Sequence, residues 1–281
     1  MPEVVEYPAK LTKAFNLPRK VNETSGLIHF SDAFWTFNDS GGKPEIYKID
    51  PKDGAIIQTV VLEGARNRDW EDMCQDETHI YLGDFGNNQG TRKDLRVFKI
   101  AKSSITEETL VTVPAETIFF SYTDQLNFTT RDRRHDHDCE SMVSHGDRLL
   151  LFSKNWANGK SRMYNLSKEP GIHSISPVFE FDARGLVTGA SLCAKNDQLV
   201  MVGYTNRVPF VYIFPGFDGT GLDTSTALRI NFSQMPQVQT EGICFVEENK
   251  LAISAEQTMR HEPAVYLLDI GEMLTKPVKG K

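Results

Sequence analysis

The chain has 281 residues, of which 40% are hydrophobic and 25% charged, and its formal net charge is −7. This composition is typical of a globular protein with enough apolar material for a full core, and the negative charge argues against a nucleic acid polymer as partner, because phosphate-binding surfaces are basic. No apolar run reaches the roughly 18 residues that a membrane span requires, so none is expected.

A short phrase recurs five times along the chain, and each copy is followed by the same kind of segment. The copies cover residues 24–27, 70–73, 139–142, 189–192 and 240–243, and their last positions are separated by 46, 69, 50 and 51 residues. A repeat of this length predicts an array of similar units, each a supersecondary element that packs against its neighbours.

Each phrase is followed by apolar runs that read as strands. The second strands are predicted at residues 34–37, 79–82, 149–152, 199–202 and 251–254, and the third at 46–49, 95–98, 162–165, 210–213 and 265–268. Fourth strands are predicted at 56–62, 116–122, 178–182 and 227–232. The runs are short, rich in β-branched and aromatic residues, and bounded by Gly, Asp and Asn, which is typical of strands and turns.

Four antiparallel strands per repeat predict an all-β fold, a five-bladed β-propeller that forms one domain over residues 1–281. The blades are expected at about 25–62, 70–122, 139–182, 188–232 and 240–270. The fifth repeat lacks a fourth strand, so residues 10–17 are expected to supply it as an N-terminal closing strand. The long interval between residues 100 and 139 is expected to contain an insertion loop. The alternative is that this interval forms a sixth blade.

The repeat places three glutamates at one level of the central channel, because the first strand of each propeller blade lines it. Glu71, Glu140 and Glu241 share this level with Ser25 and Ala190. Carboxylates crowded in a narrow channel stay ionised only if a cation compensates them. Calcium takes about 6–8 oxygen ligands in flexible geometry, so the carboxylates, carbonyl groups of Ser25 and Ala190, and water would suit Ca²⁺.

Other interpretations of these glutamates stay open. They could hold the blades in register by bonding to backbone N–H groups or arginines, or they could bind another metal. The local tract from His135 to Glu140 has the nitrogen and sulfur donors of a zinc site, although it lies in a polar loop.

Polar residues also concentrate in the loops expected on the same face as the glutamates. Asp39, Asp84, Lys154 and Glu256 are candidates for catalysis, and the candidates for ligand binding are Arg66, Arg68, Asn155, Tyr204 and Arg207. Arginines and a lysine beside calcium could hold an anionic group. Asp, Asn and Gly also serve tight turns, which is the alternative explanation for each residue alone.

The series Ser25, Glu71, Glu140, Ala190, Glu241, with its long second interval, resembles the calcium site of the calcium-activated nucleotidases, or apyrases, which are five-bladed propellers. The likeness extends to Asp39-Ser40-Gly41-Gly42 and to Trp70-Glu71. The family has serine where this chain has Ala190, and its paired arginines are replaced here by Lys154-Asn155-Trp156. The chain is also similar, over nearly its whole length, to uncharacterised bacterial propeller proteins that are often secreted.

Two functions follow as hypotheses. The first is a calcium-dependent hydrolase of a phosphorylated or otherwise anionic small molecule, with Asp39, Asp84 or Glu256 as general base and a basic side chain stabilising developing charge. The second is a non-catalytic module with structural calcium that binds a glycan, peptide or protein. A monomer is expected. The sequence as given begins without an apolar signal segment, so a secreted or periplasmic location is implied by the resemblance alone.

Overall fold

The structure, a computed structural model, describes residues 3–6, 11–130, 132–235, 237–271 and 273, and of residues 3–6 it describes the backbone. Lys10, which belongs to the predicted closing strand, lies outside these residues. Within these residues two short 3₁₀ helices occur, at Arg19–Val21 and Lys102–Ser104. No helix in the described ranges is long and apolar enough to cross a membrane.

The strands form five sheets arranged as the blades of a five-bladed propeller, which confirms the predicted fold. Blade 1 contains β3 (Thr24–Phe30), β4 (Ala33–Asn38), β5 (Glu45–Ile49) and β6 (Ile56–Leu62). Blade 2 contains β7 (Trp70–Gln75), β8 (His79–Asp84), β9 (Arg96–Ala101) and β11 (Glu116–Tyr122). Blade 3 contains β12 (Cys139–His145), β13 (Arg148–Ser153), β14 (Ser161–Ser167) and β16 (Pro177–Phe181). Blade 4 contains β17 (Leu186–Cys193), β18 (Gln198–Thr205), β19 (Val208–Phe214) and β20 (Leu228–Asn231).

The N-terminal closing strand is present. Blade 5 contains β21 (Thr240–Glu247), β22 (Lys250–Ala255) and β23 (Ala264–Asp269), and its outer strand is β2 (Thr12–Asn16). β2 runs antiparallel to β23, with Thr12 opposite Leu267 and Phe15 opposite Val265. The ring is therefore closed by hydrogen bonds between the two ends of the chain, and an exposed sheet edge is covered.

Three blades carry a fifth strand that the sequence did not predict. β10 (Leu110–Val113) leaves blade 2 and pairs in parallel with β6 of blade 1. β15 (Gly171–Ile175) leaves blade 3 and pairs in parallel with β11 of blade 2. β1 (Glu3–Glu6), which precedes the closing strand of blade 5, pairs in parallel with β20 of blade 4. In each case the segment before a blade's fourth strand extends the preceding blade.

Loops make the equivalent contact at the other two junctions. Gly54, between β5 and β6, lies against Phe15 in the outer strand of blade 5. Gly221, between β19 and β20, lies against Phe179 in the outer strand of blade 3. The interval from residue 100 to 139 thus holds β10, β11 and a loop, rather than a sixth blade.

The hydrophobic core lies between the blades. Each of its five clusters combines side chains of two neighbouring blades, such as Trp35 of blade 1 with Trp70 and Leu82 of blade 2. The middle strands are therefore covered on both faces, and their sequences are continuous apolar runs. In β19, for example, six of the seven residues are buried. Outer strands alternate between buried and exposed residues, as β11 does.

Candidate functional site

A β-bulge interrupts the pairing of the first and second strands at a similar point in every blade. The register skips one residue in three blades: Glu71 in β7, Glu140 in β12 and Thr188 in β17. In β21 it skips Glu241 and Gly242, and in β3 the shift follows Ser25. A bulge re-aims the side chain of the extra residue, and here the bulges direct one ring of side chains towards the channel.

The repeat in the sequence predicts Ala190 in this ring, but the register places Thr188 there instead. Ala190 lies two residues further along β17, opposite Met201, and its backbone N–H donates a hydrogen bond to the Asp72 carboxylate. The Thr188 hydroxyl donates to the carbonyl oxygen of Thr240, 2.8 Å away. Residues 189–192 resemble the other phrases in their small residues. This similarity assigned the channel position to Ala190, two residues after Thr188, which occupies it.

A second ring lies just above the first, at the carboxyl ends of the second strands. Its members are Asp39, Phe85, Lys154, Tyr204 and Glu256. The backbone N–H groups of three of these residues bond to the segments that enter the first strands: Asp39 to Glu23, Lys154 to Asp138 and Glu256 to Gln239, at 2.7–3.0 Å. These bonds fix the height of the second ring relative to the first.

Eight of the ten ring residues, all except Thr188 and Phe85, line a cavity of about 100 Å³ at one end of the channel. It is lined by Ser25, Asp39, Glu71, Asn88, Arg133, Glu140, Lys154, Trp156, Tyr204, Gln239, Glu241 and Glu256. The cavity thus brings together three of the four catalytic candidates, Asp39, Lys154 and Glu256, with the ligand-binding candidate Tyr204. Five carboxyl groups face two basic side chains, so the cavity is acidic.

Crowding of carboxyl groups raises their pKa values. Burial, followed by the charges of Asp69 and Glu241, raises the pKa of Asp39 to about 8. Burial and Glu241 raise the pKa of Glu256 to about 9, and burial and Asp138 raise that of Asp69 to about 6. Burial and the charge of Glu140 raise the pKa of Glu71 well above its usual range. Without a cation, several of these groups therefore keep a proton near neutral pH.

Lys154 supplies a resident positive charge on one side of the cavity. Its Nζ atom lies 3.1 Å from Oε2 of Glu140, 4.7 Å from the ring centre of Trp156 and 5.7 Å from that of Tyr204. Burial alone would lower the pKa of Lys154, but the adjacent Glu140 carboxylate more than offsets this effect and raises it. Gln239 donates a 2.9 Å hydrogen bond to Oε1 of Glu241. Glu140 and Glu241 thus already have partners.

Asp39 and Glu71, which line the cavity, form a carboxylate cluster with Asp69. One oxygen of each lies within 4.8 Å of the others. Glu71 is 5% exposed. Oδ1 of Asp39 is buried and has no hydrogen-bond partner among the described residues. A Cβ atom on Gly86 would collide with the Glu71 and Asp69 carboxylates, so glycine is needed for this approach.

Three candidates from the sequence lie away from the cavity. Asp84 is fully buried and pairs with Arg92 at 2.9 Å and Arg96 at 2.6 Å, which makes it a structural residue of blade 2. Arg68 pairs with Asp94 at 2.5 Å, and Arg66 is exposed.

Asn155 and Arg207 also lie outside the cavity. The Asn155 side chain is fully buried, and its Oδ1 accepts a 2.6 Å hydrogen bond from Ser153. Arg207 borders a neighbouring groove. Several residues at the cavity were not predicted as site residues, and all of them lie in loops outside the strands: Asp69, Asn88, Arg133, Trp156 and Gln239.

The tract from His135 to Glu140 does not bring its donor atoms together. His135 Nδ1 accepts a hydrogen bond from the His137 backbone N–H at 3.1 Å. The Asp138 carboxylate accepts from the Asn87 backbone N–H at 2.6 Å and from the Trp156 indole at 2.7 Å. In the ranges that the structure describes, the group of His, Cys, Asp and Glu residues close enough to share a metal is Asp39, Asp69 and Glu71.

A buried carboxyl group closes the floor of the cavity. Asp72 is 1% exposed, and it accepts hydrogen bonds from the backbone N–H groups of Met73 and Met142, each at 2.8 Å, and of Ala190. These donors belong to blades 2, 3 and 4. Burial raises the pKa of Asp72 well above its usual range, while the three donors oppose that shift. Asp72 therefore ties three first strands together beneath the acidic ring.

Comparisons with known proteins identify the fold alone. No protein-family description and no curated sequence matches the chain. A crystal structure of a glucose dehydrogenase is similar over 91% of this chain and 98% of its own, with 6% sequence identity and a TM-score of 0.52. A second glucose dehydrogenase has 7% identity over 92% of this chain and 98% of its own, with a TM-score of 0.49. The nidogen/laminin complex has 11% identity over 87% of this chain and 83% of that chain, with a TM-score of 0.45.

Proposed function

We propose that the cavity at the end of the channel binds a calcium ion and that this ion is the centre of the protein's activity. The observation that carries the proposal is the cluster of Asp39, Asp69 and Glu71, in which the buried Oδ1 atom of Asp39 has no hydrogen-bond partner among the described residues. Burying an unpaired carboxylate is costly, so either a cation or a proton must be present. A cation relieves all three groups at once.

The donor chemistry favours calcium over other metals. The cavity offers carboxylate, amide and hydroxyl oxygens and no histidine or cysteine side chain among its described lining residues. Oxygen donors suit hard cations, and an uneven ring of ligands suits calcium better than magnesium, which demands octahedral geometry. Of the ligands predicted from the sequence, Glu71 belongs to the cluster, Ser25 and the Glu140 and Glu241 carboxylates lie in the same cavity, and Ala190 does not.

The activity we propose for this site is calcium-dependent hydrolysis of an anionic small molecule. Asp39 and Glu256 line the cavity, and either carboxyl group could exchange a proton with water or a substrate held beside the ion. Calcium, when bound, would polarise an oxygen of the substrate. The resemblance of the channel residues to calcium-activated nucleotidases supports the same reaction class.

The second candidate is a binding module with no chemistry of its own. The observation that favours it is the pairing of Lys154 with Glu140, since this lysine is already neutralised and less able to stabilise charge that develops on a substrate. Such a module would recognise a glycan, peptide or protein through the loops around the cavity.

Calorimetric titration with Ca²⁺, after treatment with EGTA, tests the proposal directly. We expect calcium to bind, to raise the melting temperature by mass action on the folded state, and to do both better than Mg²⁺. Glu71→Gln should weaken binding at least tenfold, whereas Glu63→Gln, an exposed control, should not. A melting temperature indifferent to both EGTA and calcium, with no binding heat, would refute the calcium site.

The two candidate activities separate in a second assay. Calcium-loaded protein is incubated with nucleoside diphosphates, nucleoside triphosphates and sugar phosphates, and released phosphate is measured. The hydrolase predicts turnover that EGTA abolishes and that Glu256→Gln reduces. Binding without turnover of any of these compounds would favour the module.

A further inference from the structure

A groove of about 360 Å³ adjoins the cavity on the side of blades 4 and 5. It is lined by Tyr204, Arg207, Gln237, Val238, Gln239, Gln257, Thr258 and Met259. Tyr204 and Gln239 border both the groove and the acidic cavity. A volume of this size is within the range of small-molecule sites, so the two spaces together can hold one ligand of modest size.

The groove differs from the cavity in its chemistry. It presents three glutamine amides, one threonine hydroxyl, one tyrosine, the apolar side chains of Val238 and Met259, and Arg207 as its single charged side chain. Each amide can donate and accept hydrogen bonds, which matches the paired donor and acceptor character of hydroxyl groups. Gln239 donates its amide N–H to Glu241, so its amide oxygen is left to face a ligand that lies between groove and cavity.

The backbone around the groove adopts conformations that ordinary residues rarely take. Gln237 has φ 68°, and its N–H donates a 2.8 Å hydrogen bond to the carbonyl oxygen of Arg207, which has φ 64°. The contact joins the hairpin of blade 4 to the segment that leads into blade 5. Positive φ at both Asn206 and Arg207 is what a two-residue hairpin turn requires, and the bond from Gln237 holds this turn at the edge of the groove.

We propose that the groove and the cavity together bind a small polyhydroxylated anion, either a sugar acid or a sugar phosphate, with its hydroxyl groups on the glutamine amides and its anionic group on the calcium ion. This inference rests on the proposed calcium site, because the carboxylates of the cavity would repel an anion without the cation. The ligand spans the boundary at Tyr204 and Gln239. The carboxylates of the cavity thus contribute to anion binding only by holding the calcium ion to which the anion binds.

Calorimetry with three probes tests the inference: D-glucuronate, glucose 6-phosphate and glucose. We expect at least one of the two anions to bind in the presence of calcium, with affinity at least tenfold lower in EGTA, and glucose to bind much more weakly. The two anions distinguish a carboxylate ligand from a phosphate ligand. Gln257→Ala should lower affinity for the anion about fivefold, the effect of one or two lost hydrogen bonds, and leave calcium affinity unchanged.

The exposed Gln89, which lines neither space, provides the matched control Gln89→Ala. The inference is overturned if calcium binds but neither anion does, if glucose binds as well as the anions, or if Gln257→Ala and Gln89→Ala behave alike. Absence of calcium binding in the titration without sugar would instead refute the proposed function, so the two failures are distinguishable.

Discussion

Lys154 and Glu140 form an ion pair of 3.1 Å in which the side chains are 7% and 3% exposed. The pair places a fixed positive charge beside the carboxylates of the cavity. In the absence of metal, Lys154 neutralises the charge of one carboxylate, that of Glu140. The carboxylates of Asp39, Asp69 and Glu71 then remain available to a cation from solution.

Replacing Lys154 by methionine should destabilise the cation-free protein by about 3–5 kcal/mol, because it leaves a buried carboxylate without its partner. The same change should strengthen calcium binding, since a positive charge near the ion is removed. Urea unfolding with and without calcium measures both effects. Lys160→Met removes an exposed pair, 2.7 Å from Glu180, and should change stability by less than about 1 kcal/mol. Equal losses in the two variants would contradict this account.

Calcium affinity should rise with pH. The pKa values of Asp39, about 8, and Glu256, about 9, mean that both carboxyl groups are largely protonated at neutral pH without metal. A bound cation displaces these protons, so affinity should increase between about pH 6 and pH 9, and protons should be released on binding. Calorimetry in two buffers of different ionisation enthalpy counts the released protons. The same affinity at both ends of this range would exclude the coupling.

The stability of the cation-free protein should fall as pH rises from about 4 to about 9. Since the carboxyl pKa values are raised in the folded state, this state binds more protons than the unfolded chain between about pH 4, the ordinary value, and about pH 9. The free energy of unfolding therefore decreases as pH rises through this window, and saturating calcium should flatten the decrease. Urea unfolding at several pH values provides the check, and a decrease equally steep with calcium would argue against metal among these groups.

Asp72→Asn should destabilise the protein by about 1–3 kcal/mol. The amide NH₂ group would face one of the backbone N–H groups of Met73, Met142 or Ala190, and that donor would lose its acceptor. Asp147→Asn, at an exposed position, serves as the control. Chemical unfolding measures the difference. If the two variants are equally stable, the three backbone bonds contribute nothing to holding the blades.

Phe15→Ala tests the closing strand. Phe15 is 7% exposed and lies in the cluster between blades 5 and 1, so its removal should cost about 3–5 kcal/mol. Lys13→Ala, at an exposed position of the same strand, should have little effect. Thermal and urea unfolding distinguish them, and a small effect of Phe15→Ala would mean that the ring is closed mainly by backbone pairing.

Much of the fold could be predicted because each strand of the repeat is marked by residues close to it in the sequence. Turn residues and short apolar runs mark each strand, and two predicted fourth strands, 56–62 and 116–122, agree with β6 and β11 at both ends. The fifth strands could not be found this way. β10 and β15 are short, and each pairs with a different blade from the one that its neighbours in sequence form.

The candidate site was predictable to the extent that it follows the repeat. Glu71, Glu140 and Glu241 occupy equivalent positions and meet in one cavity. Thr188 was not predicted because the bulge in β17 shifts the strand register, and the residues around the bulge carry no sequence pattern that marks the shift. Asp69 lies in a loop, where placement depends on contacts across blades. Asp84 was a candidate general base, and only its distances to Arg92 and Arg96 reveal its structural role.

The pairing of β1 with β20 and of β2 with β23 also bears on the order in which a growing polypeptide can fold. The first two strands leave the ribosome long before their partners at Leu228 and Leu267 exist, and at roughly 5–20 residues per second the delay is on the order of ten seconds or more. During that time blades 1 to 4 can dock in sequence, while the apolar side of blade 1 that receives Phe15 stays uncovered. A nascent chain that stalls before β23 would expose this surface, and it would be a natural target for chaperones.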